Sequence, residues 1–310
     1  METPPISIVF FGAGEVAARS LRLLVEDFAI EAVVTKPRPP HHHGPWHVSE
    51  TAEQLGLQII EAENKKALTE AVVTAKFASK VGVLIDFGII VEQKAIDAFP
   101  LGIVNSHFSL LPQWRGADPI TFSILSGQKK TGVSLMLLVQ AMDEGPLLAV
   151  GEADVDMSQV TTPELTSNLI GLSYVLIKDI LPKYLAGDIK TASQEKVAGI
   201  VGYSATPSYS RKLTKEDGIL DWHKPAVQLE REIRAFADWP KSRCIVGGHA
   251  VVITQAHAEA GDGEPGKLWQ KDKSLGMYCA KGVLMIDRLK PAGKADMTAE
   301  AFLNGYGKDL

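Results

Sequence analysis

The stretch Ile6-Ser7-Ile8-Val9-Phe10-Phe11-Gly12-Ala13-Gly14-Glu15 opens the chain with an apolar run that ends at two glycines. A short, continuous apolar run is typical of a strand buried in a parallel sheet. Apolar residues at helical spacing follow the glycines, and Glu31-Ala32-Val33-Val34-Thr35 predicts a second strand. The order of strand, glycine turn, helix and strand predicts an α/β fold with a doubly wound sheet.

The glycine turn is also compatible with a dinucleotide site. Gly12-x-Gly14-x-x-Ala17 fits the phosphate-binding pattern, because a helix N-terminus attracts anions. That pattern requires an acidic residue about 20 positions further on, where this chain has Thr35-Lys36-Pro37. We therefore favour glycines that serve a tight turn, with a nicotinamide-dependent oxidoreductase as an alternative hypothesis.

The composition predicts a cytoplasmic enzyme. The chain has 310 residues, 45% of them apolar and 22% charged, which is ordinary for two globular domains. No apolar run is long enough to span a bilayer, and we expect no signal peptide. Only Cys244 and Cys279 are present, outside any spacing typical of a zinc site or a disulfide scaffold.

The C-terminal third has a different pattern, with short strand-like runs punctuated by glycine and proline. It predicts a small β-barrel, so we place a catalytic domain at 1–187, a polar, irregular linker at 188–206 and the barrel at 207–310. The last range carries 16 basic and 14 acidic residues in a chain of net charge −5, which leaves −7 for the remainder. Because of this slight basic excess, a further alternative hypothesis is that the chain is a non-catalytic RNA-binding protein.

The stretch Val104-Asn105-Ser106-His107-Phe108 places an amide and an imidazole two residues apart. In an extended backbone such residues point to the same side. Asn105 can bind a carbonyl oxygen while His107 exchanges a proton near neutral pH, which is typical of acyl-type chemistry. Asp143 lies in a predicted turn between two strands and is a further candidate, although aspartate is common in turns.

Residues 36–47 predict a loop, since they include four prolines and show little periodicity. The run His41-His42-His43 could suggest a metal site. Side chains of adjacent residues diverge, however, so a solvated loop is favoured over a metal centre. Lys36, Arg38 and Trp46 make the loop a candidate for contact with a nucleic acid or with the rim of a substrate.

A series of motifs extends along the chain. They are Asn105-x-His107, Ser109-Leu110-Leu111-Pro112-x-x-Arg115-Gly116, Asp143-x-Gly145, Lys212-Leu213-x-Lys215-Glu216-Asp217, Arg234-Ala235-Phe236-x-x-Trp239-Pro240 and Leu289-x-Pro291-Ala292-Gly293-Lys294. Together they resemble the folate-dependent formyltransferases and, within that superfamily, the branch that formylates methionyl initiator tRNA. The resemblance covers nearly the whole length.

The resemblance implies a Rossmann-like formyltransferase domain followed by an OB-like β-barrel. It implies 10-formyltetrahydrofolate as co-substrate, methionyl initiator tRNA as acceptor, and no metal. By motif position, Asn105, His107 and Asp143 are implied to be catalytic, and the loop Ser109-Leu110-Leu111-Pro112 is implied to contact the folate. We expect a monomer without membrane association, since no apolar helix face requires a partner.

The loop after Lys36-Pro37 departs from the family pattern. Family members typically carry a longer loop with a basic run similar to Gly-Arg-Gly-Lys-Lys, and this chain has Pro39-Pro40-His41-His42-His43-Gly44-Pro45 instead. With fewer fixed charges, we expect the loop to bind phosphate more weakly. Because of this departure, a related activity remains an alternative hypothesis, namely that of an amino-sugar nucleotide N-formyltransferase with the same folate donor.

Overall fold

The computed structural model describes residues 5–41 and 43–307. Backbone contacts divide the chain into two compact units. The first contains the described residues up to Pro119 together with Lys130–Asp154 and Thr166–Ser210, and the second contains Ile120–Lys129, Val155–Leu165 and the described residues from Arg211 onward. The domain limits derived from the sequence remain predictions.

The elements follow one another along the chain. The N-terminal part contains β1 (Ile6–Phe11), α1 (Glu15–Leu24), β2 (Phe28–Thr35), α2 (His47–Gln54), β3 (Ile59–Glu61), α3 (Lys65–Ala75), β4 (Gly82–Leu84), α4 (Gln93–Ile96), β5 (Ile103–His107), β6 (Arg115–Gly116), α5 (Pro119–Leu125), β7 (Gly132–Leu137), β8 (Leu147–Glu152), α6 (Thr162–Ala186), α7 (Gln194–Val201) and β9 (Tyr209–Ser210). The C-terminal part contains α8 (Ala226–Ala235), β10 (Ser242–Val246), β11 (His249–Glu259), β12 (Leu268–Lys271), β13 (Ser274–Tyr278), β14 (Val283–Pro291), β15 (Met297–Thr298) and α9 (Ala299–Tyr306).

The first unit is built on a sheet in the order β3-β2-β1-β4-β5-β7-β8. Its strands are parallel from β3 to β5, and β7 and β8 continue it in antiparallel pairing. The apolar end of β1 is fully buried, and the ring of Phe11 packs edge-on against Phe87 and Phe99 with centroids 5.8 Å apart. The predicted α/β fold with a Rossmann-like sheet is confirmed.

The second unit contains an antiparallel sheet in the order β10-β11-β14-β13-β12, and β15 pairs with β14. Its core joins the sheet to α8 and α9 through buried residues that include Leu229, Ile253, Leu284 and Phe302. The predicted β-structure of this part is confirmed, and its strands pair in an antiparallel sheet. Neither β12 nor α9 was predicted from the sequence, because each is short and buries few apolar side chains. No helix in the described ranges is long and apolar enough to cross a membrane.

Residues 188–206, predicted as an irregular linker, contain the helix α7. The hydroxyl of Ser193 accepts a hydrogen bond of 3.3 Å from the N–H of Lys196, and the helix ends at Gly202, whose φ is 89°. The prediction of irregular structure is wrong here. The helix has only eight residues with Gly199 among them, and its apolar Ile200 and Val201 are exposed, so its pattern does not indicate a buried helix.

Candidate active site

Strand β5 lies between β4 and β7, and all of its residues are buried. Asn105 pairs with Leu84 of β4 and with Met136 of β7. Asn105 and His107 keep 7% and 6% of their accessible surface and, two positions apart in a strand, share one face of the sheet. The side-chain amide of Asn105 makes no hydrogen bond to any residue that the structure describes, so its donors are available to a ligand.

The imidazole of His107 contacts two groups. Its Nε2 lies 2.9 Å from the carbonyl oxygen of Trp114, and its Nδ1 lies 3.7 Å from Oδ1 of Asp143. Because a carbonyl can only accept, Nε2 carries the hydrogen of that contact. The neutral ring therefore directs the lone pair of Nδ1 towards Asp143, and a proton on Nδ1 converts this contact into an ion pair.

Asp143 lies in the loop between β7 and β8 with a left-handed φ of 54°. Its Oδ2 accepts a hydrogen bond of 2.7 Å from the backbone N–H of Gly116, and its Oδ1 faces His107. The side chain keeps only 12% of its accessible surface. One backbone donor therefore orients the carboxylate and leaves its other oxygen to the imidazole.

Gly116 and Gly145 permit the close packing around Asp143. A Cβ on Gly116, whose φ is 116°, would lie 2.3 Å from the carbonyl oxygen of Ser210. A Cβ on Gly145 would lie 1.7 Å from the carbonyl oxygen of Leu137. Both distances are far below van der Waals contact, so these two motif positions require glycine.

The predicted folate loop Ser109-Leu110-Leu111-Pro112 is packed into the first unit. Both leucines are buried, and the Leu111–Pro112 peptide bond is cis. The Ser109 hydroxyl donates to the carbonyl oxygen of Gln113 at 2.5 Å, and the Ser134 hydroxyl donates to the Ser109 carbonyl at 2.7 Å. These hydrogen bonds therefore stabilise the loop itself.

One residue that the sequence analysis did not select, Gln194 at the start of α7, lies beside the site. It is 2% exposed, and its Nε2 donates to the carbonyl oxygens of Asp143 and Gly145 at 2.8 and 3.0 Å. Its Oε1 accepts from Nη2 and Nε of Arg115 at 2.7 and 3.2 Å. A single polar residue near a helix start is common, so no sequence signal distinguishes it.

The turn that carries Gly12 and Gly14 is occupied by a carboxylate. Oδ2 of Asp86 lies 2.0 Å from where a Cβ on Gly14 would be, and the carboxylate accepts a hydrogen bond from the N–H of Ala17. Although Asp86 keeps accessible surface, the surrounding protein desolvates its carboxylate and raises its pKa to about 6. A negative group at the N-terminus of α1 competes with phosphate, which argues against the nicotinamide hypothesis.

The loop after β2 is bonded to neighbouring segments. Nζ of Lys36 donates to the carbonyl oxygen of Gly88 at 3.1 Å, and the Arg38 guanidinium lies 3.8 Å from the Glu50 carboxylate. His42 lies outside the described residues. Within the described ranges, no three histidine, cysteine, aspartate or glutamate residues are grouped so that they could bind a metal ion.

Two family models and a series of relatives match the chain. The model described as formyl transferase matches residues 29–173, and the model of the formyl transferase C-terminal domain matches residues 212–307. The methionyl-tRNA formyltransferase of Myxococcus xanthus is 33% identical over 304 residues, which cover 96% of this chain and 95% of that protein.

Solved structures share the fold. The N-formyltransferase from Helicobacter canadensis, in complex with folinic acid and dTDP-3-aminofucose, has a TM-score of 0.68 at 16% identity, over 91% of this chain and 98% of that one. A variant of HypX from Aquifex aeolicus has a TM-score of 0.60 at 15% identity, over 98% of this chain and 48% of that one. The chain therefore spans about half the length of HypX.

Proposed function

The chain belongs to the formyl transferase family, and on that premise we propose that it transfers the formyl group of 10-formyltetrahydrofolate to the amino group of methionyl initiator tRNA. Such a transfer is a step of translation initiation. The acceptor is inferred from the methionyl-tRNA formyltransferases to which the chain is similar over both units. The observation that carries the chemistry is the amide of Asn105, which bonds to no residue that the structure describes, beside the contact between His107 and Asp143.

Asn105 is proposed to stabilise charge on the formyl oxygen. The acceptor amine attacks the formyl carbon, and the carbonyl oxygen becomes an oxyanion. The amide N–H groups of Asn105 have no other partner among the described residues, so they can donate to this oxygen. Because β5 is buried between two strands, the donor is in place before the reaction and needs no reorganisation.

His107 and Asp143 are proposed to manage the protons of the transfer. The attacking amine must lose a proton, and the leaving folate nitrogen must gain one. Since Nε2 of His107 is bonded to Trp114, Nδ1 is the ring atom that exchanges a proton. Oδ1 of Asp143, 3.7 Å away, stabilises the imidazolium that forms.

The loop Ser109-Leu110-Leu111-Pro112 is proposed to form one wall of the folate site. Its side chains are buried and its hydrogen bonds to Gln113 and Ser134 restrain its backbone, so its part is to support that wall from behind. We further propose that the chain acts in the cytoplasm as a monomer.

Transfer of labelled formyl groups from 10-formyltetrahydrofolate tests the function. The full chain is incubated with charged initiator tRNA and, separately, with an amino-sugar nucleotide, and the Asn105→Ala variant controls for contaminating activity. We expect the tRNA to gain the label with the wild-type chain only. Failure to label charged tRNA would overturn the proposal.

The Asp143→Asn variant tests the role of the carboxylate. Asparagine can still accept from the N–H of Gly116, but it removes the charge that faces His107. We expect kcat to fall about 100-fold, with the pH–rate profile displaced to lower pH, because the imidazolium loses its counter-charge. Single-turnover rates across a pH series measure both effects. The control is Asp154→Asn at an exposed position, and an Asp143→Asn variant with the wild-type profile would exclude this role.

One observation favours the amino-sugar nucleotide as an alternative acceptor. The loop at 36–47 lacks a run of basic residues, and its Arg38 guanidinium lies 3.8 Å from the carboxylate of Glu50. A paired cation attracts phosphate weakly, so this loop contributes less to tRNA binding than a basic loop would. Label on the amino-sugar nucleotide alone, in the same experiment, would select this acceptor.

A further inference from the structure

Gln194 is a buried amide whose hydrogen-bonding capacity is fully used. The two hydrogens of Nε2 are donated to the carbonyl oxygens of Asp143 and Gly145, at 2.8 and 3.0 Å. Oε1 accepts twice from the Arg115 guanidinium, at 2.7 and 3.2 Å. A primary amide offers two donors and two acceptor sites, so glutamine satisfies all four contacts.

The hydrogen-bond partners of Gln194 determine the orientation of its side-chain amide. Arg115 can only donate, and the two carbonyl groups can only accept, so the amide oxygen faces Arg115 and the amide nitrogen faces the loop. A carboxylate at position 194 would keep the contacts with Arg115. It would also direct an acceptor towards two carbonyl oxygens and repel the loop that carries them.

The bonds from Gln194 end on the loop that carries Asp143. Asp143 has a φ of 54°, a conformation that persists in a non-glycine residue only when the surrounding structure imposes it. The N–H of Gly116 restrains Oδ2 of Asp143, and Gln194 restrains its backbone carbonyl. Together these contacts leave Oδ1 at 3.7 Å from Nδ1 of His107.

We propose that Gln194 is a positioning residue that sets Asp143 against His107 for formyl transfer. The proposal rests on the proposed function, because it assigns Gln194 a part in the same reaction. At 2% exposure Gln194 has no surface to offer a substrate, so it acts through the Asp143 loop. Its contact with Arg115, next to Gly116 in the chain, joins the two segments between which the Asp143 carboxylate lies.

The test compares two substitutions at this position with a matched control. Gln194→Glu replaces the donors by an acceptor, and Gln194→Ala removes the amide without adding charge. The control is Gln54→Glu, which makes the same change at an exposed amide whose Oε1 accepts from Nη2 of Arg22 at 2.7 Å. Each variant is assayed for kcat, for KM of both substrates and for the pH–rate profile, and hydrogen exchange of residues 142–147 is measured in parallel.

We expect both Gln194 variants to lower kcat about 10- to 100-fold while KM for the folate changes less than about 2-fold, because a displaced catalytic group costs rate rather than binding. Their pH–rate profiles should be displaced in the same direction as that of Asp143→Asn. Amide exchange in the loop should accelerate. The double variant Gln194→Glu with Asp143→Asn should be no slower than Asp143→Asn alone, because both changes remove the same contact.

Three results would overturn the proposal. They are an unchanged kcat and pH profile in both Gln194 variants, altered amide exchange without altered kinetics, and a double variant whose rate loss is the product of the two single losses. Each of these leaves the proposed function standing, since the wild-type chain is active in all of them. A wild-type chain that formylates no acceptor overturns the proposed function instead.

Discussion

The buried polar side chains of the site are of two kinds. The hydroxyls of Ser109 and Ser134 and the amide of Gln194 are bonded within the chain, whereas the amide of Asn105 has no partner in the described ranges. The polar atoms of Asn105 are not among the fully buried ones that lack a partner, so the amide keeps contact with solvent. Its donors can therefore exchange water for a ligand oxygen, which is consistent with a role in binding.

The protonation of Asp86 should make the stability of the chain depend on pH. Its pKa is raised from 3.8 to about 6 by burial, so the folded chain binds this proton more tightly than the unfolded chain does. The contribution of Asp86 to stability therefore declines as the pH rises from 3.8 to about 6. Above that range the carboxylate is ionised, and its full desolvation cost destabilises the folded chain. Asp86→Asn removes that cost and fits the left-handed backbone, where φ is 48°.

Thermal unfolding at a series of pH values between about 4 and 8 measures this effect. We expect the Tm of Asp86→Asn, relative to the wild type, to increase as the pH rises. Because Asp86 keeps accessible surface, solvent screening makes the change modest. The control is Asp188→Asn at an exposed position just after α6, and a Tm difference that is independent of pH would contradict the prediction.

Two glycines of the first unit, Gly145 in a loop and Gly171 in a helix, should respond in opposite directions to substitution by alanine. A Cβ at Gly145 would lie 1.7 Å from the Leu137 carbonyl oxygen, so Gly145→Ala must displace the loop between β7 and β8. We expect a loss of about 1–3 kcal/mol in the free energy of unfolding. A Cβ at Gly171, within α6, would meet no atom within 4 Å, so Gly171→Ala should stabilise the chain by about 0.5–1 kcal/mol.

Urea unfolding of the two variants measures this difference in sign. The same change of one methyl group is made in both, so any general effect of alanine is common to them. If Gly145→Ala were as stable as the wild type, the loop would adjust without cost, and the contact with Leu137 would not determine its conformation.

The charge of the whole molecule bears on the proposed acceptor. The net charge is −5, although residues 207–310 carry two more basic than acidic residues. Each phosphate neutralised on duplex nucleic acid contributes about 0.9 to the slope of log affinity against log salt. We expect KM for charged tRNA to rise with ionic strength. The slope of log KM against log salt should correspond to a few phosphate contacts. KM for the folate, measured in parallel as a control, should change much less, and a KM for tRNA that is independent of salt would contradict the prediction.

Local sequence patterns are sufficient to predict much of the fold and part of the candidate site. The buried strands are continuous apolar runs, and the two-residue period of β5 places Asn105 and His107 on one side. The turn chemistry around Asp143 is also local, whereas the need for glycine at 145 arises from the carbonyl oxygen of Leu137 in β7. The role of Asp143 was inferred from the resemblance to a family, because a turn aspartate has no distinguishing pattern of its own.

Other features depend on how distant segments meet in the folded chain. Asp143 reaches His107 because β5 and β7 pair in the sheet, and Gln194 reaches the Asp143 loop because α7 forms where an irregular linker was predicted. The carboxylate of Asp86 likewise occupies the turn that suggested a phosphate site. These contacts join residues far apart in sequence through single hydrogen bonds or charges. Such interactions leave no periodic pattern in the chain, whereas the burial of whole strands does.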